Sequence, residues 1–358
     1  MRRLGLDTAK ADVLLVTAPY NVRYLTGFTG SNGACLCYAD GRPHVLFTDP
    51  RYTIQAAQEF PEGKLRIVKK TRLMAVGALE FLAKSIGIRI GIDPNDLSVT
   101  LMTAMEKVLP AKAAFVHLPG VVEAQRMIKD AAELALIRQS CLTNSAAFDA
   151  TIKKIKPGQR ECDIAAEIEF QQRKRGASAA AFETIVASGP RTALPHARPT
   201  EARLAPNVLL LIDVGATQNG YTSDMTRMLH LGSAPRQIRD WYADVLEAQL
   251  AALDAVREGA SAGSVDRAAR KVLQAKGHGT LFTHSTGHGL GMEVHESPGL
   301  RKQDKTRLQA GMVVTIEPGI YIQDVGGIRI EDTVVVTKNG CEILTPTSKE
   351  LSQIEFHQ

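Results

Sequence analysis

Hydrophobic and polar positions divide the chain into two unlike parts. Over the first third, short apolar runs (ADVLLVTA, ACLCYA, PHVLFTD, LRIVKK, RIGID and AAFVHL) alternate with segments of helical period (RYTIQAAQEF, LMAVGALEFLAKSI and LMTAMEKVL). Strands interleaved with helices predict an α/β domain, a sheet flanked by helices. The alternation stops near Pro119-Gly120. A long amphipathic helix is expected from Lys129, with Leu134, Leu136, Ile137, Cys141 and Leu142 as apolar positions. The domain boundary is therefore placed near residue 123, giving domains 1–122 and 123–358. A second helix, roughly Glu161 to Arg175, follows the breaker Pro157-Gly158. Beyond it, NVLLLIDVG and YTSDMTRMLHLG read as strands joined by a TQNG turn, and two helices follow at about Arg236–Arg257 and Val265–Lys276. Three strands rich in β-branched residues, MVVTIEPGIYI, GIRIEDTVVVT and CEILT, close the pattern. Strands segregated from helices in this way predict an α+β domain on a curved antiparallel sheet.

Composition narrows the classes of function. A chain of 358 residues is long for one core, so two domains agree with the pattern. A net charge of +5 is small, and the 43 basic residues are scattered. Lys153-Lys154 and Arg173-Lys174-Arg175 read as solvated helix faces, and no basic stripe carries interleaved aromatics, which argues against a nucleic-acid partner. The first residues, MRRLGLDTAKADVLLV, lack the apolar region and cleavage site of a signal peptide, and no stretch approaches a membrane span. Five scattered cysteines, with Cys35 and Cys37 on one face of a strand, fit a reduced, cytoplasmic protein.

Candidate chemistry lies where strands should bury apolar side chains. Asp213 ends the run NVLLLIDVG, and a carboxylate there is costly to bury unless it is paired or bound to a metal. Asp224 lies in the next strand; a hairpin through TQNG would bring the two aspartates within about one residue of cross-strand pairing. Glu317 ends MVVTIE, and Glu331 lies in GIRIEDTVVV, where alternation puts it on the face of Arg329 and opposite Ile328, Ile330 and Asp332. The stretch STGHGLGMEVHES adds His288 and His295 among glycines. Four carboxylates and one imidazole form a donor set suited to manganese, cobalt, zinc or iron, and two divalent ions would neutralise the four acids. Glycines around His288 would let backbone pass close to the metals, and His295 would be free to face a substrate carbonyl.

In this order and with these local sequences, Asp213, Asp224, His288, Glu317 and Glu331 resemble the dinuclear metallopeptidases of the pita-bread fold. That group includes methionine aminopeptidase, prolidase, aminopeptidase P and the metal-free creatinase. The resemblance implies a creatinase-like N-terminal domain and a pita-bread catalytic domain with its site on the concave face of the sheet. It also implies two metals per chain, manganese foremost, and homodimers.

The residues in front of the catalytic part separate the chain from methionine aminopeptidases, and its complete donors separate it from creatinase and from non-catalytic relatives. SGPRTALPHARPT contains His196, which matches the histidine that proline-directed members place near the scissile bond. YLTGFTGSNG and FTDPRYTIQA look more like aminopeptidase P than like bacterial prolidase, whereas the chain length is close to that of bacterial dipeptidases. The first reading is therefore an Xaa-Pro aminopeptidase acting through a metal-bridged hydroxide, with an Xaa-Pro dipeptidase as the alternative. The substrates implied are peptides with proline in second position. Glu317 is the expected general base or proton shuttle, and His196 and His295 contact the carbonyl and its oxyanion. Arg329 would orient Glu331 or bind a substrate carboxylate.

Overall fold

The alternating first third builds a six-stranded sheet. In the computed structural model, which describes Asp7 and residues 9–354, its order is Lys64–Ile67, Val45–Thr48, Gly33–Tyr38, Val13–Val16, Arg89–Ile92 and Ala114–His117. Gly33–Tyr38 runs antiparallel to both neighbours, and the remaining pairs are parallel. Parallel pairs require crossovers, which helices such as Met74–Phe81 and Val99–Glu106 supply. The core packs Val13, Leu15, Leu36, Phe47, Ile90 and Ile92 against Leu79 and Met105. Cys35 and Cys37 share a strand face, with their sulfurs 3.7 Å apart and unbridged. Two short helices, Pro19–Thr26 and Val121–Arg126, carry too few turns to show a period in the sequence. The second belongs to this unit because Arg126 donates to Asn21 (2.7 Å) and the Asn21 amide donates to Glu123. The first compact unit accordingly runs to Arg126.

The second unit, Met127–Gln358, opens with helix Ala131–Ile152, which starts where the capping box of Asp130 and Glu133 satisfies its first N–H groups. Helix Glu161–Lys174 packs beside it. A four-stranded sheet has the order Ser352–Ile354, Met225–Leu231, Leu209–Val214 and Ile185–Ser188. A five-stranded sheet has the order Glu296–Leu300, Gly287–Gly289, Val313–Ile316, Asp332–Val336 and Cys341–Ile343. Among the described residues the unit also has a three-stranded and a two-stranded sheet, and Met225–Leu231 pairs in parallel with Ser352–Ile354. Leu210, Ile212 and Val214 face Phe148, Ile164 and Ile168 of the first two helices. Leu209 and Leu211 face the other way, in one core with Val245 and Ala248 of helix Arg236–Ala255 and Val265 and Ala269 of helix Ala262–Ala275. No described helix is long and apolar enough to cross a membrane.

One buried carboxylate organises the segment between helix Glu161–Lys174 and the strands. Glu161 accepts from the N–H and hydroxyl of Ser188 (both 2.8 Å), from Arg191 (3.2 Å), and from the N–H and hydroxyl of Thr200 (3.1 and 2.7 Å). It thus ties both ends of the loop that carries His196. Removing it strands several donors, and hydrogen bonds to a buried charge are among the costly ones to lose. Glu161→Ala is expected to destabilise the chain by about 3 kcal/mol, read as a lower urea midpoint at unchanged slope.

Candidate metal centre and active site

Asp213 follows Leu209 and Leu211 in strand parity, so its carboxylate leaves the sheet on their side. Across the hairpin Asp213 pairs with Thr226 and Val214 with Met225. Continuing that register sets Asp224 beside Gly215, two positions from Asp213 rather than one. The difference matters, because a one-residue offset would point the two carboxylates to opposite faces. The turn between them is Asn219-Gly220, both at positive φ (51° and 83°), as a tight hairpin requires.

Both glutamates sit where an expected strand breaks. Val313–Ile316 ends before Glu317, and Pro318, which has no N–H for a ladder, precedes a new strand at Gly319–Ile322. Gly326–Arg329 and Asp332–Val336 are likewise interrupted at Ile330-Glu331. Each interruption frees a carboxylate at a junction between two sheets. The glycines beside His288 serve the neighbouring strands rather than a metal. A Cβ on Gly287 would lie 1.9 Å from the Thr315 carbonyl oxygen, and one on Gly289 would lie 2.2 Å from that of Ser297.

These elements converge on a cavity of about 470 Å³. All five expected donors line it, together with His196, His295 and Arg329, and with Phe182, Glu183, Arg198 and His284. His288 Nε2 lies 3.6 Å from Asp224 Oδ2 and 3.4 Å from Glu317 Oε1. Ligand atoms of Asp224, His288 and Glu331 all fall within 4.8 Å of one another. The His288 and His295 rings meet edge to face at 4.4 Å.

Whether these residues fit metal ions is decided by protons. His288 Nδ1 is 3.0 Å from the Gly289 carbonyl, which can only accept, so Nδ1 carries the hydrogen and Nε2 presents a lone pair. That lone pair faces two carboxylate oxygens. Asp213 Oδ1 and Asp224 Oδ1 are buried without a hydrogen-bond partner. Burial, then the charges of Glu331, Asp213 and Glu317, push the Asp224 carboxyl well above its ordinary range. Burial, then Glu317 and Asp213, do the same to Glu331, and burial raises Glu317. Acceptors facing acceptors at this depth call for cations, and the donor set fits divalent ions. His295 is held below the ordinary histidine range by burial and then by His288, which leaves it uncharged at neutral pH.

The comparisons with known proteins agree with this geometry. The model of metallopeptidase family M24 matches residues 135–338, and that of the creatinase/prolidase N-terminal domain matches residues 3–128. The chain belongs to metallopeptidase family M24. It is 37% identical over 346 residues to the Xaa-Pro dipeptidase of Pyrococcus furiosus, covering 97% of each chain. The solved structure of an Xaa-Pro dipeptidase from Bacillus anthracis matches with a TM-score of 0.91 at 36% identity, over 97% of this chain and 96% of that one. The X-Pro aminopeptidase from Thermotoga maritima matches with a TM-score of 0.89 at 34% identity, over 96% of this chain and 98% of that one. The M24 chain therefore has the two-domain plan expected of it, creatinase-like N-terminal domain included. Among the relatives, dipeptidases support the second reading of the sequence better than the aminopeptidase placed first.

Arg329 is anchored in this M24 site by several partners. Its guanidinium is buried. Nη2 donates to Asp213 Oδ2 (2.6 Å), Nε to the Thr226 hydroxyl (3.0 Å), and Nη1 to the Pro195 carbonyl (3.1 Å) and the Tyr321 hydroxyl (2.9 Å). Four of its five N–H groups are thereby committed within the protein, so it holds Asp213 rather than a substrate carboxylate. It reaches Glu331 only through Thr226, whose hydroxyl donates to Glu331 Oε2 (2.7 Å). Its bond to Pro195 also holds the residue before His196. His284, absent from the expected set, lines the cavity and meets the Tyr321 hydroxyl at 2.8 Å. Its signal was present as a third histidine four residues before His288, and Tyr321 ends the motif EPGIY. Thr226 had a weaker signal, its parity with Asp224. Such outer partners typically tune metal affinity ten- to a hundredfold. Thr226→Val, which removes the link between Arg329 and Glu331, is expected to weaken divalent metal binding by about tenfold, measured by calorimetric titration of metal-stripped protein.

Proposed function

We propose that this chain is a two-metal Xaa-Pro dipeptidase that hydrolyses dipeptides with proline in second position. The observation that carries the reading is one cavity lined by four carboxylates, two of which, Asp224 and Glu317, face the proton-free Nε2 of His288, and lined also by His196 and His295. Asp213, Asp224, His288, Glu317 and Glu331 would hold the ions, with manganese first and cobalt, zinc or iron also suited to these donors. When bound, two divalent ions lower the pKa of water and polarise the scissile carbonyl. Dipeptides are preferred to longer peptides because the Pyrococcus and Bacillus relatives carry that activity in their names, against the Thermotoga aminopeptidase. Five unbridged cysteines support a cytoplasmic protein, and the family resemblance supports a homodimer.

The bond before proline has no N–H, so its substrate cannot be read as an added β-strand and must be held by side chains. His196 and His295 hold the carbonyl and stabilise the oxyanion as a C–O bond forms. Glu317, whose carboxyl is raised by burial, takes the proton of the attacking water. It returns that proton to the proline nitrogen as the C–N bond breaks, releasing the free amino acid and proline.

Chelation is expected to abolish hydrolysis of Ala-Pro, and manganese or cobalt to restore it at about two ions per chain, counted by elemental analysis. Full activity in stripped protein would refute the reading. Ala-Pro should be cleaved far faster than Ala-Ala and faster than Ala-Pro-Ala; a preference for the tripeptide would move the chain to the aminopeptidases. The two histidines should fail differently. His288→Ala should lose metal and activity together, with partial rescue by excess metal. His295→Ala should keep its metal and lose roughly a hundredfold in turnover, without rescue.

A further inference from the structure

The His295 ring meets that of His288 edge to face, and its position otherwise depends on the backbone that carries it. That backbone is wound around a buried ion pair which the reaction itself does not use. Lys129 Nζ lies 3.1 Å from Glu296 Oε2, with the two side chains 1% and 7% exposed. The other carboxylate oxygen, Glu296 Oε1, accepts from the Glu293 N–H (3.1 Å), and the Gly291 N–H donates to the Glu293 carbonyl (3.0 Å). A Cβ on Gly291 would lie 2.7 Å from both Glu296 oxygens, so the turn closes on the carboxylate itself. Lys129 is fixed in turn, its N–H donating to the Gly311 carbonyl (2.9 Å) and its ammonium to that of Met127 (3.4 Å).

The opposite side of the turn is held from the strand that leads to Asp224. The Thr222 N–H and hydroxyl both donate to the Gly291 carbonyl (2.8 and 2.9 Å). Strand pairing also shifts here: His288 pairs with Gly299, whereas Gly289 pairs with Glu296. The residues between Gly289 and Glu296 therefore project as one turn that ends in His295. A buried ion pair adds little stability over apolar side chains of the same volume, and its best-attested use is to fix a register.

We propose that Lys129 and Glu296 are positioning residues that hold the 291–296 turn so that His295 faces the scissile carbonyl. The proposal rests on the substrate-facing role of His295 given above. Misplacing a catalytic group by about an ångström costs up to about a hundredfold in rate. The test is a double-mutant cycle on Ala-Pro with metal content measured throughout. Lys129→Met and, separately, the isosteric Glu296→Gln are expected to lower kcat by about 10- to 100-fold with wild-type metal content and little change in KM. In a His295→Ala background each should change kcat by less than about twofold, because the group they position is gone. Equal losses in both backgrounds, an unchanged kcat in the single variants, or failure of both to fold would overturn the proposal and leave the pair a structural one. A His295→Ala protein that turns over like the wild type would instead refute the role of His295 itself.

Discussion

Four carboxylates buried together against a single guanidinium are the constraint from which the rest of the catalytic unit follows. Asp213, Asp224, Glu317 and Glu331 share one cavity, and among the described residues that line it Arg329 is the buried one with a permanent positive charge. Without further cations these acids must take up protons, which is the direction in which burial and mutual repulsion push Asp224, Glu317 and Glu331. Such a site cannot hold itself together. Its geometry has to be imposed by the surrounding structure before any ion arrives, and the surrounding structure is accordingly rich in buried polar anchors.

Those anchors work in pairs of opposite direction. Glu331 and Asp332 are adjacent and point to opposite sides of the backbone, Glu331 to the cavity and Asp332, which opens the next strand, to a closed knot. There Arg227, Lys349, Gln249 and Thr345 meet the Asp332 carboxylate at 2.7 to 2.9 Å. Burial opposes its charge, but Arg227 and Lys349 outweigh burial and hold Asp332 below the ordinary range. Arg227 also donates to the backbone carbonyls of Thr226 and Glu331. One guanidinium on the outer side thus fixes the backbone from which Glu331 reaches inward, while Arg329 on the inner side fixes Thr226 and Asp213. Two arginines bracket the same pair of strands.

The parts of this arrangement legible in the sequence were those that break a local rule. A carboxylate at the end of NVLLLIDVG, and another after MVVTI, stand out because burial there is unfavourable. The strand breaks at Glu317-Pro318 and Ile330-Glu331 were not anticipated, since β-branched residues run through both and period alone cannot mark where a chain changes sheets. The offset between Asp213 and Asp224 was misjudged by one residue for a related reason: the TQNG turn announces a hairpin, but the register depends on which turn residues adopt positive φ. Glu161, Lys129 and Glu296 were illegible as anchors. Each looks like an ordinary charged residue at a helix start or in a loop, and its burial depends on partners far along the chain.

That difference has a physical origin. A donor to a metal must sit beside other donors on apolar strands, so its anomaly is visible in its own neighbourhood. An anchor can take its partner from anywhere along the chain, and Glu296 is 167 residues from Lys129. The two substrate-facing histidines illustrate the consequence. His196 lies in a loop whose two ends are tied to one Glu161 carboxylate, and His295 ends a turn closed on one Glu296 carboxylate. Neither imidazole sits on a regular strand, where a neighbouring ladder would set its place. In both cases a buried acid, supplied with donors by backbone N–H groups, does for a loop what pairing does for a strand. Loops that carry reacting groups must be specified by such local closures, because hydrophobic period does not reach them.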